Sequence, residues 1–220
     1  SGKKEYLHID RTRYCEGDSV QLNINGQYGF TWLYKNGSLI DSSAKSKWAL
    51  SSVKRTDTFY AKYSYDNKHC YEFTDSIQVN INPRPKARIL GDTSFCTSLK
   101  ELISYDGSSI SSGVIDTLKW NLGDDNFIID QRAQTDTIKH QYAKFGSYQV
   151  ELVAISDSSC TDTVTRQVHI GSIPEANILI SSDSVCQGDL FTLKANVSNQ
   201  FGAIDSVHWH YGDGQRGAGF

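Results

Sequence analysis

Cys15-Glu16-Gly17-Asp18 returns near the other end of the chain as Cys186-Gln187-Gly188-Asp189, and the fold is read from that recurrence. Cys96 stands between them, after Leu90-Gly91-Asp92, so the openings lie 81 and then 90 residues apart. A tryptophan follows each opening cysteine: Trp32, Trp120 and Trp209. The first two are followed in turn by a closing cysteine, Cys70 and Cys160. An internal period of about 85 residues marks tandem modules rather than one large domain. The expected modules are 4–82, 86–171 and 175–220, the third being only the front half of its unit. Pro83-Arg84-Pro85 and Ser172-Ile173-Pro174 are the linkers, short enough to predict a semi-rigid rod.

Within each module the apolar residues alternate. Val20, Leu22 and Ile24 are interleaved with Gln21 and Asn23; Ile77, Val79 and Ile81 with Gln78 and Asn80. Tyr148, Val150, Leu152 and Ala154 repeat the pattern, and Val164, Val168 and Ile170 continue it. Period two over short segments, with turn signals at Asn36-Gly37 and Asp106-Gly107, describes antiparallel sheets with one wet face. Twelve Tyr and nine Phe favour strands, and helical spacing with caps is not found. The fold class is therefore all-β, as tandem β-sandwiches.

The 220 residues carry 22 Lys plus Arg against 25 Asp plus Glu, a net charge of -3. That leaves no basic field for nucleic acid or an anionic membrane. No apolar run reaches the roughly 20 residues of a membrane span, so no membrane insertion is expected. Ser1-Gly2 reads as a scar or an internal cut rather than a signal peptide.

No Cys-x-x-Cys occurs among the five cysteines, which argues against a zinc ribbon or thioredoxin-like site. The repeat suggests one disulfide per unit, Cys15–Cys70 and Cys96–Cys160, each worth about 4 kcal/mol in the chain-entropy model. Cys186 is left with a partner beyond Phe220. Such bonds imply an oxidising compartment, and hence an extracellular or cell-surface protein. Buried free thiols in a cytosolic protein are the alternative.

The second module contains Trp120-Asn121-Leu122-Gly123-Asp124-Asp125 and then His140-Gln141-Tyr142, Gly146-Ser147-Tyr148-Gln149-Val150. It resembles the PKD domain, with Asp125 in place of the usual glycine. Trp209-His210-Tyr211-Gly212-Asp213-Gly214 repeats the first half of that pattern. The first module resembles the immunoglobulin-like domains of Bacteroidota surface proteins through Cys15-Glu-Gly-Asp18, Trp32-Leu-Tyr-Lys-Asn-Gly37 and Asp57-Thr-Phe-Tyr60. The resemblance implies that Trp32 is the core tryptophan of strand C and Tyr60 the corner tyrosine of strand F. Trp120, His140, Tyr142, Tyr148 and Trp209 are expected in the cores with them. Lys62 stands where an antibody domain has its second cysteine, so the bridge is expected to reach the F–G hairpin instead.

Asp124, Asp125 and Asp213 admit three readings: acids, Ca²⁺ ligands, or hairpin turns in which Asp bonds its own backbone. The turn accounts for them most simply, with Ca²⁺ the one cofactor left open. His208 and His210 share a strand face and could begin a metal site, but no third ligand is evident. His69 beside Cys70 would need a free thiol to act. The tryptophans could stack on sugars, although their equal place in each repeat favours cores. Tyr28, Phe30, Trp48, Tyr63, Tyr65 and Tyr71 exceed what one small core needs, so some could form an exposed patch.

Asp-Ser/Thr-aliphatic recurs seven times, with Ser19, Ser76, Thr117, Thr137, Thr163, Ser184 and Ser206 as the hydroxyl residues. The pattern resembles the O-glycosylation signal of Bacteroidota secreted proteins; it is also how such strands begin. Together the modules resemble stretches of gliding-motility adhesins and other cargo of the type IX secretion system. That implies a non-enzymatic, surface-displayed adhesin segment whose partners are a surface glycan or protein and, during export, the secretion machinery. An accessory segment of a secreted hydrolase, or carrier domains of type IX cargo, are the alternatives.

Overall fold

The computed structural model describes residues 4–66, 69–96, 101–131, 133 and 135–219, and among them every regular element is a β-strand. No helix of the described residues is long and apolar enough to cross a membrane. By contact density the chain divides into two compact units. One comprises Ser1–Ala87, Ser108–Leu118 and Val153–Asp162; the other comprises Arg88–Gly107, Lys119–Leu152 and Thr163–Phe220.

In the first unit two sheets face each other. The smaller runs Leu7–Ile9, Val20–Ile24, Lys47–Leu50. The larger runs Ser38–Ser43, Phe30–Lys35, Asp57–Ser64, Tyr71–Phe73, with Ile77–Val79 also paired to Asp57–Ser64. Their facing residues close the core: Leu22 and Trp48 on one side, Leu33, Phe59, Ala61 and Tyr63 on the other. Trp48 and Leu22 are cross-strand partners, so an indole and a leucine fill one layer together. Tyr14–Cys15 pairs in parallel with Ile81–Asn82, the last strand before Pro83.

The expected disulfides are corrected here. Cys15 is bonded to Cys160, 145 residues away, with Cα atoms 5.6 Å apart; Cys70 and Cys96 are exposed and unbridged, as is Cys186. The reason is the parallel pairing just described. It sets Cys15 opposite Asn82, whose carbonyl oxygen lies 3.9 Å from Cys160 Sγ. Cys160 meets it there, on the hairpin before the strand Thr161–Gly171. Arg84 fans over the same place, donating from Nε to Glu16 O (2.6 Å), from Nη1 to Thr161 O (3.0 Å) and from Nη2 to Asp18 Oδ1 (2.6 Å).

In the second unit Ile89–Leu90, Glu101–Asp106 and Thr137–Gln141 form a three-stranded sheet. A five-stranded sheet, parts of whose strands belong to the first unit by the division above, runs Ser94–Cys96, Thr161–Gly171, Gly146–Ser156, Ile115–Asn121, Phe127–Gln131. Leu102, Trp120, Leu122, Ile138, Val150, Leu152 and Ile170 are buried. The remaining strands form two pairs, Glu175–Ile180 with Leu193–Ser198 and His208–His210 with Arg216–Ala218. These pairs cover little apolar surface: Ile178, Leu179, Ile180 and Leu190 are exposed.

Candidate ligand-binding face

Thr31 and Leu33 point into the first core, so Phe30, Trp32 and Tyr34 point out. In the neighbouring strand Phe59, Ala61 and Tyr63 are buried and Tyr60 and Lys62 point out. Trp32 and Tyr60 are therefore not the core residues expected; both are half-buried on the outer face. Leu33 and Phe59, each one residue away, hold the inward positions, and Trp48 supplies the core indole. A shift of one residue exchanges every side chain of a strand between faces.

The outer face is a continuous aromatic surface. Tyr34 and Tyr60 are cross-strand partners with parallel rings 4.8 Å apart. Phe30 packs on Trp32 at 4.8 Å, and Phe73 reaches both Tyr60 (6.1 Å) and Tyr71 (5.8 Å). The Lys62 ammonium sits 4.7 Å from the Trp32 ring centre and 3.6 Å from that of Tyr71. Tyr71 and Phe73 are about half exposed, at 53% and 48%. Among the described residues, Lys62 is the one charged side chain at the outward positions of these three strands. A cation held between aromatic rings, with phenol and indole groups around it, can bind an amphipathic or anionic partner. Of the other aromatics singled out, Tyr63 is buried, and Tyr28 and Tyr65 pack against it at 5.0 and 5.8 Å from one side or the other.

On the inward side of the same strands an open groove of about 680 Å³ is lined by Lys35, Ile40, Val53, Arg55, Asp57 and Phe59. Asp57 is almost wholly buried. Lys35 Nζ lies 2.6 Å from Oδ2, and Asn36 Nδ2 donates to Oδ1 at 2.7 Å. Burial pushes the Asp57 carboxyl up, but the Lys35, Asn36 and Arg55 contacts together outweigh it and hold it below the ordinary carboxylate range.

The Asp124 region is a turn. Leu122 N–H donates to Asn126 O (3.0 Å), and Gly123 and Asp125 both have positive φ, 81° and 66°. A Cβ on Gly123 would come within 2.7 Å of Gln149 O, so glycine is required there. The Asp124 carboxylate lies 2.7 Å from His140 Nε2. Burial raises its pKa, and the bonds from His140 and Asn126 more than offset this, leaving it lowered. His140 packs edge-on against Tyr142, whose hydroxyl donates to Leu122 O; Tyr148 stacks on Tyr142 at 3.8 Å. The same turn recurs with Gly212 and Gly214 at φ 88° and 89°, and Asp213 Oδ1 accepts from Gln215 N–H. Trp209 corrects the core expectation: it is half-buried, its Nε1 donating to Gly219 O. His208 and His210 are exposed, and no group of three His, Cys, Asp or Glu suited to a metal occurs among the described residues.

Ser19, Ser76, Thr163, Ser184 and Ser206 are exposed, whereas Thr117 and Thr137 are half-buried. Each of these two donates its hydroxyl to the preceding aspartate, Asp116 and Asp136, at 3.0 Å. The Asp-Thr pair thus has a local structural use at these two positions.

Residues 82–170 match the family model for the PKD domain. The chain is 23% identical over 147 residues to collagenase ColA of Clostridium perfringens, covering 62% of this chain and 12% of that protein. It therefore spans only about an eighth of the length of that curated relative. Among solved structures it is similar to the fibronectin(III)-like modules of Clostridium thermocellum CbhA: TM-score 0.43, 12% identity, covering 76% of this chain and 94% of that one. It is also similar to the PKD1 domain of Vibrio anguillarum Epp: TM-score 0.34, 20% identity, covering 40% and 93%. The match to the PKD model thus covers one stretch, residues 82–170, of a chain whose described residues form an all-β architecture of several sheets.

Proposed function

We propose that the chain is a non-enzymatic segment of a secreted or surface-displayed adhesin, built from modules 4–82, 86–171 and 175–220. Disulfides give it mechanical continuity, and its first module presents the binding surface. The observation that carries this reading is the outward aromatic face around Lys62, because a sheet that needed only a solvated face would not spend Trp32, Tyr34, Tyr60, Tyr71 and Phe73 on it. The partner is a surface glycan or a surface protein, and a full-length protein would also meet a secretion machinery. The bond between Cys15 and Cys160 supports an extracellular setting.

Beads coated with the 220-residue chain test this in shear flow over glycan- and protein-coated surfaces. The expected result is retention on at least one surface, reduced about tenfold or more by Lys62→Gln with Tyr71→Ala, since hot spots of this kind are worth above 1 kcal/mol each. Equal retention of parent and variant would remove the face from the function.

The match to a collagenase favours a second reading, an accessory segment of a secreted hydrolase. Under it, fusion of the chain to a catalytic domain raises turnover of insoluble substrate but not of a soluble one. Equal effects on both would count against that reading.

A further inference from the structure

Two kinds of cysteine recur, each at a fixed place in its module. Cys15 ends a strand that pairs in parallel with the last strand before the Pro83 linker, opposite Asn82. Cys96 likewise ends Ser94–Cys96, which pairs in parallel with the end of Thr161–Gly171, opposite Gly171 and just before Ser172-Ile173-Pro174. Cys186 opens the same turn as Cys15. In both, the cysteine N–H donates to the aspartate three residues on, and that aspartate's N–H returns to the cysteine carbonyl. These are exit cysteines. The second kind sits on a hairpin, one residue before the strand that follows: Cys70 before Tyr71–Phe73, Cys160 before Thr161–Gly171. The one bond present joins the two kinds, exit Cys15 to hairpin Cys160 across a linker.

We propose that the disulfides of this protein join successive modules, the exit cysteine of each to the hairpin cysteine of the next. Cys96 then bonds to the hairpin cysteine of the third module, Cys186 to that of a fourth, and Cys70 to the exit cysteine of a preceding module. Cys70, Cys96 and Cys186 are the three exposed, unbridged cysteines, so one rule accounts for all five. Two observations stand behind Cys96 in particular. Its counterpart Cys15 is bonded in the same structure. An open cavity of about 320 Å³ also adjoins it, lined by Gly171, Ser172 and Phe201 among others, where a second side chain can enter. Trp120 and Cys160 are 40 residues apart, which places the partner of Cys96 about 40 residues beyond Trp209, outside these 220 residues. Each bond forms from two thiols that lose two protons and two electrons. A disulfide-bearing oxidoreductase accepts the electrons and is reduced to its dithiol.

Non-reducing peptide mapping of the native polypeptide, with thiols blocked before digestion, tests the rule. The expected result links Cys70 to a cysteine before Ser1 and Cys96 to one about 40 residues past Trp209. Cys15–Cys70 or Cys96–Cys160, each closing a module on itself, overturns it. So does a blocked thiol at Cys70 or Cys96, or a native polypeptide with no cysteine on either side. As a second readout, Cys96→Ser is expected to release one new thiol, at the third module's hairpin. A new thiol at Cys160 instead would overturn the rule.

Discussion

Tyr60 lies ring against ring with Tyr34 on the outer surface of the sheet, while its neighbour Phe59 is sealed in the core. The two adjacent aromatics therefore differ in what they contribute. Phe59→Ala is expected to cost about 3–5 kcal/mol, the loss of a packed aromatic. Tyr60→Ala is expected to cost about 1 kcal/mol, the worth of a cross-strand ring pair. Urea unfolding of the two variants checks the ranking, and a reversed order would contradict the assignment of faces.

In the 220-residue chain, removal of the Cys15–Cys160 bond is expected to be the most destabilising change at any cysteine. With 145 residues between its ends, the chain-entropy model gives about 5 kcal/mol. In the 220-residue chain, Cys15→Ser should lower the unfolding midpoint strongly, and Cys70→Ser, at a cysteine that is unbridged there, should change stability by less than about 0.5 kcal/mol, as for other exposed positions. Thiol labelling of the unreduced, denatured 220-residue chain should modify Cys70, Cys96 and Cys186 and spare the other two.

Asp57 gives the first unit an acid-sensitive lock. Its folded pKa is lowered from 3.8, so its contribution to stability is fully present above that value and is lost as pH falls through the lowered folded value. Stability measured from pH 5 downward should fall more steeply in the parent than in Asp57→Asn. That variant should also lose about 2 kcal/mol at pH 7, where the charged hydrogen bonds are missing. Parallel pH profiles for the two proteins would count against the lock.

The turn at Gly123 and Asp125 separates two effects of a positive φ. Gly123→Ala meets the Gln149 backbone at 2.7 Å and should cost more than the roughly 1–2 kcal/mol of a left-handed residue. At Asp125 (φ 66°) the side chain is already tolerated, and Asp125→Gly should change stability by less than about 1 kcal/mol. Thermal unfolding of both variants distinguishes them.

The aromatic face shows why part of the site escaped the sequence. Phe30, Trp32 and Tyr34 are as apolar as the core-facing Thr31 and Leu33, so alternation does not say which set is inside. Lys62 was the available signal. It shares the face of Tyr60 and is the cross-strand partner of Trp32, and a lysine marks the wet side. The Cys-x-Gly-Asp segments stood out in the sequence as a recurrence; that each closes a turn over four residues, with Gly17 and Gly188 at φ 88° and 94°, came from the structure. The Gly123 turn was legible because glycine and aspartate together set a positive φ and a local hydrogen bond within a few residues.

Local chemistry thus determined, from the sequence alone, that the chain is all-β and that the Gly123 segment forms a turn. Period-two alternation and glycine at positive φ need no distant partner to act. Tertiary structure decided which face of each strand is buried and which cysteine meets Cys15. Both depend on the pairing of segments far apart in the chain. Cys15 stands beside Asn82, and so within reach of Cys160, only because a two-residue strand pairs across more than sixty residues of intervening chain.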